Sequence, residues 1–262
     1  MAPRSGEPGS APLRRFFLAR SPAEGAPELL PEDARHALRV LRVRVGDRLI
    51  GLDGRGGAWP LSVASVARDL EVRPDGEVRS DPPPGSDGAS LPWIEVALSW
   101  PKADRSAAML DRLTQLGAAA IAELSTARSA PGAGLREGAP RRRAERILRE
   151  ACKQSGRTWL PELREAPSPA PAERILLDPS ADLDLASWAA RSRDRSPTLW
   201  TRDRPLAVIV GPEGGFAAAE VGGFVDRGAV RLRLGPHTLR IETAAEAAMA
   251  ILAGCLLRPP RA

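Results

Sequence analysis

Apolar residues along the chain follow two rhythms, which change near residue 93. In the first stretch, LRRFFLA from Leu13 reads as a short strand, and PEDARHALRVLRV reads as a helix opened by Pro31. Its Ala34, Ala37, Leu38 and Leu41 follow the i, i+3, i+4, i+7 spacing of one helix face. RLIGLD and WPLSVASVA then flank Asp53-Gly54-Arg55-Gly56-Gly57, a glycine-rich hairpin connection. Strands this closely spaced predict a small β-barrel over residues 13–72. Residues 1–12, MAPRSGEPGSAP, lack the apolar core of a signal peptide and are expected to form a disordered tail. Residues 73–92, RPDGEVRSDPPPGSDGASLP, are so rich in Pro, Gly, Ser and Asp that they read as a linker or long loop.

From Trp93 strands and helices alternate. IEVALS, AIAEL, RILLD, LAVIVG and AVRLRLG are strand-like runs. RSAAMLDRLTQLG is a helix with Gly117 just past its end, and APRRRAERILREACKQSG is a second, starting at Pro140 and stopping at Gly156. Ala144, Ile147, Leu148, Ala151 and Cys152 share one face of that second helix. A final helix is expected after Thr243, with Thr243 as N-cap and Glu246 as its capping-box partner. Continuous apolar strands between helices predict an α/β domain over residues 93–262, with a mostly parallel sheet covered on both faces. No internal repeat is evident.

Composition narrows the function classes. The chain of 262 residues has room for a full core, and no apolar run nears the roughly 20 residues that span a bilayer, so no membrane role and a cytoplasmic location are expected. Cys152 and Cys255 lie far apart outside any C-x-x-C pair and read as reduced core residues. With His36 and His237 the only histidines, no metal site is expected. A net charge of +5 favours a polyanionic partner, nucleic acid before membrane. Nearly all of the basic residues are arginine, Lys102 and Lys153 being the exceptions.

Two glycine turns follow consecutive strands near the C-terminus. The stretch VIVGPEGGFAAAEV, residues 208–221, is a strand, a glycine-rich turn and a helix start. Such turns usually cradle phosphate, but Glu213 places a fixed negative charge in this one, and neither the P-loop nor the Gly-x-Gly-x-x-Gly spacing is present. The second turn is LGPHTLRIET, residues 234–243. Open α/β sheets bind ligands at the carboxyl ends of their strands, so both turns are expected to line one pocket. A carboxylate among backbone donors suits a ligand with positive charge and hydrogen-bonding groups. S-adenosylmethionine fits that description better than ATP or NAD.

Taken in order, R-R-F-F, H-A-L-R-V-L-R at 36–42, K-A-D-R at 102–105, the L-G after the first α/β helix, C-K-Q-S-G-R at 152–157, V-G-P-E-G-G at 210–215 and L-G-P-H-T-L-R-I-E-T at 234–243 form a specific set. Over residues 13–257 the chain resembles the RsmE family of SPOUT methyltransferases, which methylate N3 of a uridine in 16S ribosomal RNA. The resemblance implies an N-terminal PUA-like barrel that binds RNA and a C-terminal trefoil-knot domain that holds S-adenosylmethionine and pairs as a homodimer. It places Leu177, Gly211, Glu213, Gly214 and Gly215 around the cofactor, with Leu234, Gly235 and Leu239 walling its two ends.

Arg240 and Glu242 are the implied charged pair at the reacting centre. Uracil N3 must lose its proton to attack, and the flanking carbonyl oxygens then carry charge. Arg240 is suited to stabilise that charge, and Glu242 to accept the proton or hold Arg240 in place. Arg15, Arg39, Arg42, Lys102, Arg128 and Arg157 are the RNA-contact candidates, with a further basic face on the helix bearing Arg141, Arg142, Arg143, Arg146, Arg149 and Lys153. The resemblance implies 16S rRNA or the small ribosomal subunit as partner, with the target uridine splayed out of its stack. Gln115, Ala127 and the long 73–92 segment depart from the family pattern. The rival class is a non-catalytic RNA-binding or ribosome-assembly protein that keeps the fold, and a nucleotide-phosphate enzyme is a third reading that Glu213 disfavours.

Overall fold

The computed structural model describes residues 13–101, 103–129, 134–195 and 197–257; the expected tail at 1–12 and Lys102 lie outside these. The chain divides into two compact units, Met1–Ser80 and Asp81–Ala262.

In the first unit β1 (Arg14–Arg20) pairs in parallel with β3 (Arg48–Leu52) and antiparallel with the short β2 (Glu28–Leu29). β4 (Gly57–Ser65) runs antiparallel to β3, β5 (Glu71–Pro74) and β6 (Arg79–Ser80), giving a six-stranded sheet. α1 (Pro31–Arg39) lays Ala37 onto a core of Phe16, Leu18, Leu49, Leu61 and Val63. Its buried Asp33 accepts a 2.6 Å hydrogen bond from the Phe17 N–H, tying the helix to β1. The β3–β4 hairpin is organised by Asp53, whose Oδ1 accepts from the N–H groups of Arg55 and Gly57. A Cβ on Gly57 would lie 2.2 Å from the Asp53 carboxylate, so a side chain there is excluded.

The 73–92 segment is more structured than a linker. Pro74 ends β5 at the sheet edge, where a missing N–H costs no ladder bond. Arg79 and Ser80 pair with the start of β4. In the second unit Ala89 is buried, and Gly85 donates to the Leu91 carbonyl.

The second unit is an all-parallel six-stranded sheet. Its members are β7 (Ile94–Leu98), β8 (Ala120–Glu123), β9 (Glu162–Arg164), β10 (Glu173–Leu177), β11 (Leu206–Val210) and β12 (Ala229–Leu232), in spatial order 12-10-11-7-8-9. Alternate residues serve opposite faces. Ile94, Val96, Leu98, Ile175, Val208 and Val210 pack beneath α2 (Ala103–Gln115), α3 (Ala139–Ser155), α4 (Leu185–Arg191) and α6 (Ile241–Leu256). Leu176 and Ile209 face α5 (Ala218–Asp226) through Phe216, Val221 and Phe224. Glu95, fully buried on β7, is satisfied by Arg164 at 2.6 Å and by the Ser168 N–H and hydroxyl.

α3 ends at Gly156 in the left-handed conformation, as its sequence predicts. α6 departs from its prediction. It begins at Ile241 with Arg240 as N-cap, and the Ala244 N–H donates to the Arg240 carbonyl at 2.8 Å. Thr243 is therefore an exposed first-turn residue, and Glu246 pairs with Arg112 of α2 at 3.0 Å instead of closing a capping box. Burial of Ile241 in the core explains the earlier start. α4, capped by Asp184 accepting from the Ser187 N–H, has no counterpart in the sequence reading. Among the described residues no helix is long and apolar enough to cross a membrane.

Candidate functional site

Strands of a parallel sheet all end on the same side, so the turns that leave them converge there. At the carboxyl ends of β10, β11 and β12 they enclose a cleft of about 630 Å³. All eight residues expected around the cofactor line it: Leu177 at the end of β10, Gly211, Glu213, Gly214 and Gly215 after β11, and Leu234, Gly235 and Leu239 before α6. Ile241 and Ala244 of α6 line the same cleft.

The β11 turn is braced from outside. Gly215 has φ +70°, a conformation that disfavours a side chain, and its N–H donates to the Pro212 carbonyl at 2.8 Å. Arg128 donates to the Gly214 carbonyl at 2.7 Å. Glu220 accepts from the N–H groups of Ala127 and Ala217. These backbone donors, Ala127 first, hold the Glu220 carboxyl below its usual range. The segment after β8 is thus a strut under the turn, and Ala127 acts through its backbone.

Glu213 is not an isolated negative charge. Arg105 of α2 donates to its Oε1, and the same nitrogen lies 3.5 Å from Oε1 of Glu242. Glu242 does not pair with Arg240, the partnership the sequence suggested. Its Oε2 is buried and meets no donor among the described residues. Arg240 is exposed. On the far rim Asp178 and Arg231 pair at 2.7 Å; burial pushes the Asp178 carboxyl up, but Ser180 and Arg231 outweigh it and hold the carboxyl low. Arg105 is the site residue that sequence reasoning missed. The K-A-D-R motif contained it, but its partners lie 108 and 137 positions away.

The RNA-contact candidates fall in both units. Arg39 ends α1 exposed, and Arg42 is exposed with φ +50°. Arg15 lies half-buried on β1. Arg128 spends a donor on the cofactor turn. Arg157 turns inward, donating to the Thr114 carbonyl at the end of α2, and burial lowers its pKa to about 10. That geometry makes it a helix-end clamp with one donor already engaged on α2. On α3, Arg141 is tied to Glu137, Glu145 and Glu165, leaving Arg142, Arg143 and Arg146 exposed. Among the described residues no group of His, Cys, Asp or Glu is placed to hold a metal ion.

The cleft fits S-adenosylmethionine by its own features. It is walled by Leu177, Leu234, Leu239 and Ile241, carries a carboxylate, and has backbone that approaches closely at glycine. A Cβ built on Gly235 meets no protein atom within 4 Å. Gly235→Val should therefore leave the fold intact while crowding a ligand held there. Overpacking a filled site costs about 1–3 kcal/mol, or roughly 5- to 150-fold in calorimetric affinity. Unchanged affinity in a folded variant would place the ligand elsewhere.

A parallel sheet with paired glycine turns at its carboxyl end follows a small β unit along the chain, and the family matches to these two parts give the class, an RNA methyltransferase. Residues 89–253 match the family described as RNA methyltransferase domain, and residues 29–70 match the RNA methyltransferase PUA domain. The ribosomal RNA small subunit methyltransferase E of Mycobacterium bovis is 30% identical over 240 residues, covering 89% of this chain and 88% of that protein. The chain belongs to the ribosomal RNA small subunit methyltransferase E family. Its fold is that of SPOUT methyltransferase structures. A Legionella pneumophila methyltransferase solved with bound SAM superposes with TM-score 0.75 at 24% identity, covering 93% of this chain and 98% of that one. The Neisseria gonorrhoeae ribosomal RNA small subunit methyltransferase E, bound to S-adenosyl methionine, gives 0.71 at 24% identity, covering 91% and 95%.

Proposed function

We propose that the protein methylates N3 of a uridine in 16S ribosomal RNA, in the cytoplasm, using S-adenosylmethionine. The observation that carries this reading is the buried Glu242 Oε2 on α6, without a partner among the described residues, on the helix whose first turn also lines the cofactor cleft. When bound, S-adenosylmethionine supplies an electrophilic methyl group. Gly211, Gly214, Gly215 and Gly235 would hold it by backbone, between the apolar walls of Leu177, Leu234 and Leu239, with the Glu213 carboxylate in the same cleft to favour a cationic ligand. Glu242 takes the N3 proton of the uracil, and Arg240 steadies the charge left on the carbonyl oxygens. Mass mapping of 16S rRNA from cells with and without the gene tests the reading. A uridine that loses one methyl group supports it, and identical maps would favour the non-catalytic RNA-binding reading.

RNA recognition falls to residues 13–72 as the PUA-like unit. If Arg39 and Arg42 meet phosphate, Arg39→Gln with Arg42→Gln should weaken RNA binding and flatten its salt dependence by about 0.7–0.9 units of slope for each phosphate no longer neutralised. Cofactor affinity should stay put. Equal slopes for variant and parent would remove both from the interface.

The active form is a homodimer in this reading. α6 supports it: Thr243, Ala250 and Gly254 stand exposed along one stripe of a helix whose other residues are buried or half-buried. Small side chains there permit close helix approach. Sedimentation at twice the chain mass is the supporting result.

A further inference from the structure

Arg105 sits between two carboxylates from distant parts of the chain. It donates to Glu213 in the cofactor turn and lies 3.5 Å from Glu242 on α6. Its side chain is 27% exposed, that of Glu213 is 55% exposed and that of Glu242 13%. The hydrogen bond to Glu213 leads the interactions that strengthen its hold on its proton. Two acids and one guanidinium leave the cluster with one net negative charge. Within it Glu242 is asymmetric: Oε1 faces Arg105, while Oε2 is buried without a donor among the described residues.

A carboxylate can rotate about its last torsion, and a lone buried oxygen would normally turn toward any donor available. Holding one oxygen therefore decides where the other points. We propose that Arg105 is a positioning residue, fixing Glu242 through Oε1 so that Oε2 stays open as the proton acceptor for the uracil imide. This rests on the proposed reading of Glu242. The proton leaves N3 for Oε2, the electron pair left on N3 forms the bond to the methyl carbon, and the sulfur keeps the electrons of the bond that breaks. The proton then passes from Glu242 to solvent. Arg105 neither gains nor loses a proton, and it touches no reacting atom.

The same geometry acts on ligand binding without any turnover. Glu213 lines the cleft, so a cation there senses the cluster. Removing Arg105 raises the cluster from one to two negative charges. The cleft should then favour the cationic S-adenosylmethionine over neutral S-adenosylhomocysteine more strongly than the parent does.

Arg105→Ala, Arg105→Lys, Glu242→Gln and the Arg105→Ala/Glu242→Gln double variant test this. Calorimetry with both ligands and single-turnover methylation of 16S rRNA are the measurements. Arg105→Ala should slow methyl transfer about 100-fold or more, the effect of a misplaced proton acceptor. Its preference for the cationic ligand should rise about 2- to 5-fold, as a partly exposed charge pair allows. The double variant should be no slower than Glu242→Gln alone, because both changes remove one function. Arg105→Lys should fold and recover part of the rate, since an ammonium holds one carboxylate but bridges two poorly. Full rate in Arg105→Ala, rate losses that multiply in the double variant, or an unchanged ligand preference would each overturn the proposal. A fast Glu242→Gln instead overturns the reading of Glu242, whereas a slow Glu242→Gln beside a fast Arg105→Ala sinks the positioning role alone.

Discussion

Glu242→Gln should slow methyl transfer about 100- to 10,000-fold under single-turnover conditions, the range a positioned proton acceptor contributes, while S-adenosylmethionine affinity falls no more than about 5-fold, as loss of one partly screened charge allows. Glutamine keeps the shape of the side chain but cannot take the imide proton near neutral pH. A competing explanation for an acid at this position is purely structural. Glu242 lies in the first turn of α6, where a negative charge complements the helix dipole by about 0.3–1 kcal/mol. That role predicts a melting temperature lower by about 1–4 °C and an unchanged rate. The dipole alone does not account for Oε2, because an exposed acid would serve it as well. A buried oxygen without a donor costs about 1–3 kcal/mol and persists where something other than stability requires it. Full rate with a slightly lower melting temperature would assign Glu242 to the helix.

What the sequence made legible was local. The glycine turns could be placed at strand ends because LAVIV and AVRLR are continuous apolar runs, and both turns do line one cleft. β9 escaped because three half-buried residues, Glu162, Leu163 and Arg164, make no run. The start of α6 was misplaced because T-A-A-E spells a capping box, whereas Glu246 is drawn to Arg112, 134 positions earlier. Arg157 read as a surface cation because nothing near it in sequence shows that Thr114 ends a helix beside it. Long-range contacts decided the last two of these cases, and single-sequence patterns do not encode them. Arg105 is the clearest case: its meaning lies wholly in Glu213 and Glu242. The 73–92 segment shows the converse error, since proline and glycine exclude central strands but tolerate edges such as Pro74.

Arg240→Ala should bind S-adenosylmethionine nearly as the parent does and yet methylate about 100- to 1,000-fold more slowly in a single turnover, as loss of a preorganised donor typically does. Its backbone is fixed as the N-cap of α6, extended at φ −66° and ψ 158°, with its carbonyl taken by the Ala244 N–H. Its guanidinium is exposed, and no described residue binds it. Glu242, two residues on, is turned to Arg105, so Arg240 is not spent on an internal ion pair. An arginine anchored by its backbone and free at its tip is equipped to meet a ligand from outside the chain. The uracil carbonyls that flank N3 gain charge as the proton leaves, and a planar fork of donors matches them. Arg240→Lys should recover part of the rate, because an ammonium offers the charge without the fork. The contrasting result is equally concrete. If Arg240→Ala keeps its full single-turnover rate at saturating RNA but needs more RNA to reach it, and the salt slope falls by about 0.7–0.9 units, the residue grips a phosphate and the charge on the uracil is stabilised by another group.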